Sequence, residues 1–194
     1  MSQKDKIKWN EKFRSNPELL APREPSSMLK QFLSKEKNHI DKTALDLACG
    51  GGRHTLYLAN LGFKVDAVDI SKVALDSLKE KIDLDLVSLI ESDLDQFSPE
   101  ANRYDLIVMS NFLDRELIKR SCGALKIDGV FFVETYMDDP NNEKQNSNPN
   151  FLLQKDELKE IFKGFEILEY REFWNEPYEI YRMKKEAVLA RRLI

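Results

Sequence analysis

The feature that most constrains the fold is an alternation of short apolar segments with segments of helical periodicity, which begins at residue 43. Runs such as 43–48 and 105–109 are short and mostly apolar, which is typical of strands covered on both faces. The stretch 53–61 instead carries apolar residues at helical spacing. Because strands and helices that alternate form right-handed βαβ units, the pattern predicts an α/β fold with a doubly wound, mainly parallel sheet.

The alternation extends over most of the chain. Strands are predicted at residues 43–48, 63–69, 86–90, 105–109, 130–134, 165–173 and 187–194. Helices are predicted at 4–15, from Ser26 or Ser27 onward, at 53–61, after Ser71, and around Leu117 and Leu158. The polar stretch 138–150 is predicted to be a mobile surface loop, and residues 174–186 are left unassigned. A length of 194 residues fits a single domain, with a helical N-terminal cover at 1–40 and a sheet core at 43–194.

Composition narrows the classes of function. The chain has 34 acidic and 30 basic residues, and this acidic excess argues against a dedicated nucleic-acid-binding protein. No apolar run approaches the roughly 20 residues of a membrane helix, and the first residues lack the apolar core of a secretion signal. Two cysteines without a C-x-x-C pair fit a reducing compartment, and two isolated histidines do not indicate a metal site. We therefore expect a cytoplasmic protein with no metal and no membrane or nucleic-acid partner, and the oligomeric state is left open.

Three of the seven glycines, Gly50, Gly51 and Gly52, follow directly after the first predicted strand. Since glycine permits positive φ and close backbone approach, this run predicts a ligand-binding turn. A phosphate-binding loop would need a lysine after the glycines, and none follows. A dinucleotide fingerprint would place glycine or alanine where Thr55 stands, which disfavours a nicotinamide or flavin cofactor without excluding it.

Acidic residues lie at the ends of the next two predicted strands. Asp69 stands where a carboxylate accepts hydrogen bonds from both ribose hydroxyls of an adenosine, a feature that NAD enzymes share. Asp93 follows the third predicted strand, where it is placed to accept a hydrogen bond from an adenine amino group. In open α/β sheets the ligand lies beyond the carboxyl ends of the strands, which is where these residues are predicted to meet.

The sequence LDLACGGGRHTLYLANLGFKVDAVDIS at 45–71 resembles motif I and the acidic second-strand end of class I S-adenosylmethionine-dependent methyltransferases. It is similar in particular to the small bacterial group typified by tellurite-resistance and thiopurine methyltransferases. Further matching segments are WNEKF at 9–13, PREPS at 22–26, YDLIVMSNFLDREL at 104–117, FFVETY at 131–136 and NPNFLL at 148–153. The chain departs from the family at 126–129, where Lys-Ile-Asp-Gly replaces a frequent Pro-Gly-Gly before the fifth strand.

The resemblance implies a Rossmann-like sheet of seven strands whose last strand is antiparallel, with S-adenosyl-L-methionine as the cofactor. It implies that Gly50 and Gly52 let the backbone approach the cofactor and that Asp46 lies near its methionine ammonium. Asp69 is expected at the ribose and Asp93 at the adenine. The cofactor-binding residues expected on this basis are Asp46, Ala48, Cys49, Gly50, Gly52, Arg53, Asp69, Ile70, Asp93, Leu94, Ser110 and Asn111.

The expected activity is transfer of a methyl group to a small-molecule acceptor by in-line displacement. Candidate acceptor contacts are Trp9, Arg23, Arg115 and Tyr136, and Arg53 or Arg23 is a candidate for the cofactor's carboxylate. Holding the reacting atoms in line can supply roughly 7–11 kcal/mol, so a general base is optional and no residue is singled out as catalytic. Two alternatives stay open, an NAD-type oxidoreductase and a module that binds the cofactor without turnover.

Overall fold

The computed structural model describes residues 3–35, 38–83, 85–145, 148–175 and 179–194, and its centre is a seven-stranded sheet. The strands are β1 (Thr43–Leu47), β2 (Lys64–Asp69), β3 (Val87–Glu91), β4 (Tyr104–Ser110), β5 (Leu125–Tyr136), β6 (Glu166–Trp174) and β7 (Lys184–Arg191). Their order in the sheet is β3-β2-β1-β4-β5-β7-β6. The pairs among β1 to β5 are parallel, whereas β7 is antiparallel to both β5 and β6. The predicted α/β fold with an antiparallel last strand is confirmed.

Helices cover both faces of the sheet. They are α1 (Gln3–Ser15), α2 (Ser27–Leu33), α3 (Arg53–Asn60), α4 (Lys72–Lys79), α5 (Arg115–Cys122) and α6 (Glu157–Ile161), with 3₁₀ turns at Pro17–Leu20 and Pro149–Phe151. Buried side chains of α2, α3 and α4, such as Leu29 and Leu58, pack on one face. Leu117 of α5 and Leu158 of α6 pack on the other face. The N-terminal region therefore contributes α2 to the core.

Local sequence signals explain where several helices begin and end. The Ser71 hydroxyl accepts a hydrogen bond from the Ala74 amide at the start of α4. After α3, Gly62 has φ 95°, and its amide and that of Phe63 bond back to carbonyls of the last helical turn. This is the glycine-terminated helix end that the sequence predicts.

The fifth strand begins five residues earlier than predicted. β5 starts at Leu125, and its pairing with β4 is irregular between Tyr104 and Leu106. Asp128 has φ 65° within this irregular stretch. The Lys-Ile-Asp-Gly sequence at 126–129 thus forms an irregular strand start rather than a separate turn.

The segment predicted to be a mobile surface loop is in part tied to the start of β7. Asn142 is 4% exposed. Its side-chain Nδ2 donates to the Met137 carbonyl at 2.9 Å, and its side-chain Oδ1 accepts from the Lys184 backbone amide at 2.7 Å. The Glu143 amide donates to the Arg182 carbonyl at 3.0 Å. Polar composition predicted exposure here, but an asparagine side chain can satisfy backbone groups beyond a strand end. Residues 146 and 147 of this segment lie outside the described residues.

None of the helices in the described ranges combines the length and apolar character that a membrane crossing requires. In the same ranges, no three His, Cys, Asp or Glu side chains converge as metal ligands. The two cysteines are free thiols.

Candidate functional site

The turn between β1 and α3 lies at the carboxyl edge of the sheet and has an unusual backbone. Ala48, Gly50 and Gly52 all have positive φ, at 56°, 53° and 81°. The Cys49 amide donates to the Val68 carbonyl at 3.0 Å, which continues the pairing with β2 into the turn. Burial raises the pKa of the Cys49 thiol well above its usual range. This thiol is therefore a buried neutral group within the turn.

The three glycines serve different contacts. A Cβ on Gly51 would lie 2.9 Å from the Leu20 backbone, and a Cβ on Gly52 would lie 2.3 Å from the Leu78 side chain. A Cβ on Gly50 would have its nearest neighbour, in Phe13, at 4.0 Å. Gly51 and Gly52 are thus needed for close packing against the rest of the protein, whereas a Cβ on Gly50 would make only an ordinary contact with Phe13.

Asp69 joins the end of β2 to the glycine turn. Its Oδ2 accepts a hydrogen bond from the Gly50 amide and its Oδ1 one from the Ser71 amide, both at 2.8 Å. Burial raises the pKa of Asp69, while these amides favour the carboxylate. Each carboxylate oxygen keeps a further lone pair for a ligand hydroxyl. Ile70, the next residue, is buried.

Asp46 in β1 and Thr55 in α3 form a buried pair beside the turn. The Thr55 hydroxyl donates to Asp46 Oδ2 at 2.6 Å, and Asp46 is 2% exposed. Burial raises the pKa of Asp46 to about 6, although the Thr55 bond and the nearby Arg53 oppose this shift. Thr55 is fully buried, so the larger side chain is accommodated because its hydroxyl has a carboxylate partner on the strand.

The ends of β4 and β5 are linked to the start of α3. Arg53 Nη2 donates to the Ser110 hydroxyl at 2.7 Å and lies 3.7 Å from Glu134 Oε1. Asn111 has φ 56°, and its amide donates to the Glu134 carbonyl at 2.8 Å. Arg53, Ser110 and Asn111 therefore lie close together at the carboxyl edge of the sheet.

Sequence analysis missed a buried charged cluster beside this point. The Lys185 side chain is 3% exposed, with Nζ 3.0 Å from Glu179 Oε1 and 3.8 Å from Glu134 Oε1. Glu134 Oε2 accepts a hydrogen bond from the Ser26 hydroxyl at 2.5 Å. Lys185 lies in a stretch to which no pattern was assigned, and a lysine next to another lysine is ordinarily read as exposed. Only the antiparallel register, which pairs it with Tyr136, reveals its place.

Ser26 has a second buried contact in this region. Its amide donates to His54 Nε2 at 3.2 Å, and burial lowers the pKa of His54 well below its usual value. His54 is therefore neutral, with Nε2 as an acceptor. The sequence predicts that Ser26 or Ser27 caps α2, but the hydroxyl of Ser26, at the N-cap position, donates to Glu134 instead.

The two predicted adenine contacts follow β3. Asp93 Oδ1 accepts a hydrogen bond from the Asp95 amide at 3.0 Å. The Leu94 side chain is fully buried in the core on the α5 side of the sheet, and its carbonyl accepts from Arg120 at 2.7 Å. Leu94 thus offers a ligand its backbone rather than its side chain.

The four predicted acceptor contacts are dispersed. Trp9 packs beside Phe13, with ring centroids 5.6 Å apart, near the glycine turn. The Tyr136 hydroxyl donates to Glu179 in the buried cluster. Arg23 is exposed and donates to the Glu18 carbonyl at 3.2 Å.

Arg115, at the start of α5, is hydrogen-bonded to the segment before α6 and to Glu157 in α6. Its Nη2 donates to Glu157 Oε2 at 2.9 Å and to the Leu152 carbonyl at 3.0 Å. Its Nη1 donates to the Asn150 carbonyl at 2.8 Å. These bonds tie α5 to the segment before α6 and occupy the guanidinium within the protein.

The N-terminal segment lies over the same edge of the sheet. Asn10 Oδ1 accepts hydrogen bonds from the Ser71 hydroxyl at 2.8 Å and the Val73 amide at 3.2 Å. Lys81 Nζ donates to the Leu20 carbonyl at 2.8 Å. Together with the close approach of Leu20 to Gly51, these bonds place α1 and the following 3₁₀ turn beside the glycine turn.

Comparison with known proteins finds a family that matches the middle of the chain. Residues 44–129 match the family described as "Methyltransferase domain". The matched range contains the glycine turn, Asp46, Asp69 and Ser110.

Two curated relatives resemble the chain in sequence. The probable S-adenosyl-L-methionine-dependent methyltransferase TehB of Haemophilus influenzae is 31% identical over 165 residues, which are 76% of this chain and 56% of that protein. The cypemycin N-terminal methyltransferase of a Streptomyces species is 32% identical over 120 residues, which are 57% of this chain and 48% of that protein. The chain spans about half the length of the curated relatives it matches.

A solved structure shares the fold. The crystal structure of TehB from Haemophilus influenzae matches with a TM-score of 0.71 and 24% sequence identity, over 95% of this chain and 67% of that chain. The strand order and the antiparallel last strand are thus those of a known architecture.

Proposed function

We propose that the chain is a class I S-adenosylmethionine-dependent methyltransferase of the TehB-like group and that it transfers a methyl group from S-adenosyl-L-methionine to a small-molecule acceptor. The observation that carries this proposal is the glycine turn at the carboxyl edge of the sheet, where the Gly50 amide donates to Asp69 at 2.8 Å. Open α/β sheets bind their ligands at this edge. The methyltransferase match disfavours the NAD-type oxidoreductase.

The residues at this edge suit a cofactor with an adenosine and an amino-acid end but no phosphate. Asp69 has lone pairs for the ribose hydroxyls, and Asp93 lies after β3 for the adenine. The carboxylate of Asp46 would attract the ammonium group of the cofactor's amino-acid end. The guanidinium of Arg53 would attract the carboxylate of the same end. The remaining proposed cofactor contacts are made by residues next to these groups, namely Ala48, Cys49, Gly52, Ile70, Leu94, Ser110 and Asn111.

Bound S-adenosylmethionine supplies a methyl group on a cationic sulfur, from which an acceptor nucleophile takes it in line. The protein contributes by positioning the cofactor. Asp46, Asp69 and Arg53 hold the two ends of the cofactor from three different elements, and α1 with Phe13 limits access of water to the turn.

The described carboxylates near the acceptor side already have partners. Glu134 accepts from Ser26, and Glu179 accepts from Tyr136 and pairs with Lys185. We therefore propose an acceptor that reacts through an available lone pair, such as a thiolate, an oxyanion or a neutral amine, without a dedicated general base. Trp9 and Tyr136 are the proposed acceptor contacts that lie nearest the turn and the charged cluster.

A small acceptor is supported by what covers the edge. Parts of the chain itself, namely α1, Ser26 and Glu179, lie over it and bond to its buried groups. An edge covered in this way admits a small molecule more readily than a folded protein. A cytoplasmic location is proposed from the two free thiols.

Calorimetry with S-adenosylmethionine, S-adenosylhomocysteine and NADH tests the cofactor. We expect binding of the first two and none of NADH, and the reverse pattern would refute the proposal. Turnover is then measured as S-adenosylhomocysteine formed with selenite, tellurite, thiopurine, small thiols, small amines and short peptides. Cofactor binding without product from any of them would favour a module without turnover, and product from peptides alone would refute the small-molecule acceptor.

Asp69→Ala tests the ribose contact directly. Loss of hydrogen bonds to a charged acceptor costs about 1.5–3 kcal/mol, so we expect S-adenosylhomocysteine to bind roughly 10- to 150-fold more weakly. Asp76→Ala, on the exposed side of α4, is the control and should leave affinity unchanged. Unchanged affinity in folded Asp69→Ala would exclude the ribose role.

A further inference from the structure

A lysine that sequence analysis did not select lies buried at the edge that carries the proposed cofactor site. Lys185 is the second residue of β7, and its backbone pairs with Tyr136 at the end of β5. Its ammonium contacts Glu179 at 3.0 Å, Glu134 at 3.8 Å and the face of the Tyr136 ring at 4.8 Å. Lys185 and Arg53 therefore both lie beside Glu134.

Stability alone does not account for this arrangement. Two cations, Lys185 and Arg53, and two carboxylates, Glu134 and Glu179, are gathered in one largely buried cluster. Desolvation of such charges offsets most of their mutual attraction, and packed apolar side chains often stabilise a fold as well. Clusters of buried charge beside a ligand-binding edge point to a role in binding or reaction.

One oxygen of Glu134 is shared between the two cations. Glu134 Oε1 lies 3.7 Å from Arg53 Nη2 and 3.8 Å from Lys185 Nζ, while Oε2 is bonded to the Ser26 hydroxyl. Both distances are beyond a direct hydrogen bond. Within the described part of the chain, Arg53 donates one hydrogen bond, from Nη2 to Ser110. Most of its donors thus stay available to a ligand.

We propose that Lys185 is a positioning residue for cofactor binding. By sharing Glu134, it prevents this carboxylate from forming a close pair with Arg53 and so keeps the guanidinium free for the carboxylate of the cofactor's amino-acid end. The inference rests on the proposed function, because it assigns a task to Lys185 within the same site.

The physical reason is a competition for one carboxylate. An arginine and a carboxylate with no other partner form short, often two-pronged hydrogen bonds. Without Lys185, Arg53 would be drawn from Ser110 to Glu134, and the cofactor's carboxylate would lose its partner. The ribose and adenine contacts at Asp69 and Asp93 would be unaffected, since they lie at the ends of β2 and β3.

Two ligands separate this role from a general loss of structure. S-adenosylhomocysteine carries the amino-acid end, whereas 5′-methylthioadenosine has the same nucleoside without it. For Lys185→Met we expect S-adenosylhomocysteine to bind about 10-fold more weakly and 5′-methylthioadenosine to bind within about 2-fold of the wild type. Lys184→Met is the matched control, because Lys184 pairs with Asp139 and Glu172 away from the cluster, and it should change neither affinity.

A double variant tests the competition itself. In Glu134→Gln/Lys185→Met the carboxylate that would capture Arg53 is gone, so S-adenosylhomocysteine should bind within about 3-fold of the wild type. This variant also removes both partners of a buried contact, which is milder for folding than removing one. If Lys185→Met does not fold, the double variant is compared with Glu134→Gln instead. We expect these two variants to bind S-adenosylhomocysteine with equal affinity.

The inference is overturned if Lys185→Met weakens both ligands equally, if it weakens neither, or if the double variant stays as weak as Lys185→Met. An unrestored double variant would mean that Lys185 acts on the ligand directly. These results differ from failure of the proposed function, in which the wild type itself binds no S-adenosylhomocysteine.

Discussion

At the scale of single residues, Asp46 is a buried carboxyl group whose pKa lies close to neutral pH. It is held by Thr55, faces the nearby Arg53, and has its pKa raised to about 6 by burial. The same carboxylate in water would be ionised at any pH above about 4. Its charge in the free protein is therefore sensitive to mild acid, which sets up a measurable dependence of binding on pH.

We expect S-adenosylhomocysteine to bind more weakly below about pH 6. A bound ammonium favours ionised Asp46, so binding must release a proton wherever the free carboxyl is protonated, and affinity falls by up to tenfold per pH unit as pH drops through 6. Titration calorimetry from pH 5 to 8 measures this directly. Asp46→Asn should flatten the profile, and 5′-methylthioadenosine, which lacks the ammonium, should bind independently of pH in this range. A profile that is equally steep for both ligands would contradict the assignment.

At the scale of elements, the contact between the glycine turn and the 3₁₀ turn depends on one missing side chain. A Cβ on Gly51 would meet the Leu20 backbone at 2.9 Å, where neither partner is a flexible side chain. Gly51→Ala should therefore shift the two turns apart, lower the melting temperature by several degrees and weaken S-adenosylhomocysteine binding. Gly123→Ala is the control, because a Cβ there has nothing within 4 Å. Equal melting temperatures for the two variants would contradict this account.

A second element-scale prediction concerns α6 and its buried partner on β7. Glu186 Oε1 accepts a hydrogen bond from the Leu158 amide at 2.9 Å, while Oε2 is buried without a hydrogen-bond partner among the described residues. Burial raises the pKa of Glu186 to about 7, so the folded protein holds a proton there that the unfolded chain releases above about 4.5. This contribution to stability is full in acid and is lost as pH rises toward 7.

Glu186→Gln keeps an acceptor for Leu158 and removes the titration. The melting temperature of Glu186→Gln minus that of the wild type should increase between pH 5 and 8, because the wild type loses stability over this range and the variant does not. Each 1 kcal/mol that the wild type loses corresponds to roughly 2–4 °C. Glu166→Gln, at the exposed start of β6, provides the control and should show no such trend. A difference that stays constant with pH would show that Glu186 is already ionised in the folded protein.

At the scale of the whole molecule, the fold was predictable because its signals are local. The apolar runs of β1, β2 and β4, and the capping residues Ser71 and Gly62, each act within a few positions of the chain. The glycine turn with Asp69 was predictable for the same reason, since both follow strand ends directly. The family resemblance supplied what periodicity alone did not, namely the antiparallel last strand.

What the sequence did not show depends on distant pairing. Lys185 is buried because β7 runs antiparallel beside β5, and Glu134 becomes a shared acceptor only when Ser26, Arg53 and Lys185 arrive from separate elements. Such convergence is a property of register and packing rather than of any short segment. The roles of the predicted cofactor and acceptor residues likewise stay predictions until a ligand is bound.

Because α1 lies beside the glycine turn, we expect its attachment to the rest of the molecule to affect how the ligand enters and leaves. Asn10 is the polar link between α1 and the start of α4, through Ser71 and Val73. Asn10→Ala should loosen α1 and expose the turn, so we expect faster amide hydrogen exchange in residues 3–20 and faster dissociation of S-adenosylhomocysteine, with little change in exchange of β1 and β4. Glu11→Ala, on the exposed side of the same helix, should alter neither rate. If Asn10→Ala accelerates exchange in α1 but leaves ligand dissociation unchanged, α1 does not control access to the proposed site.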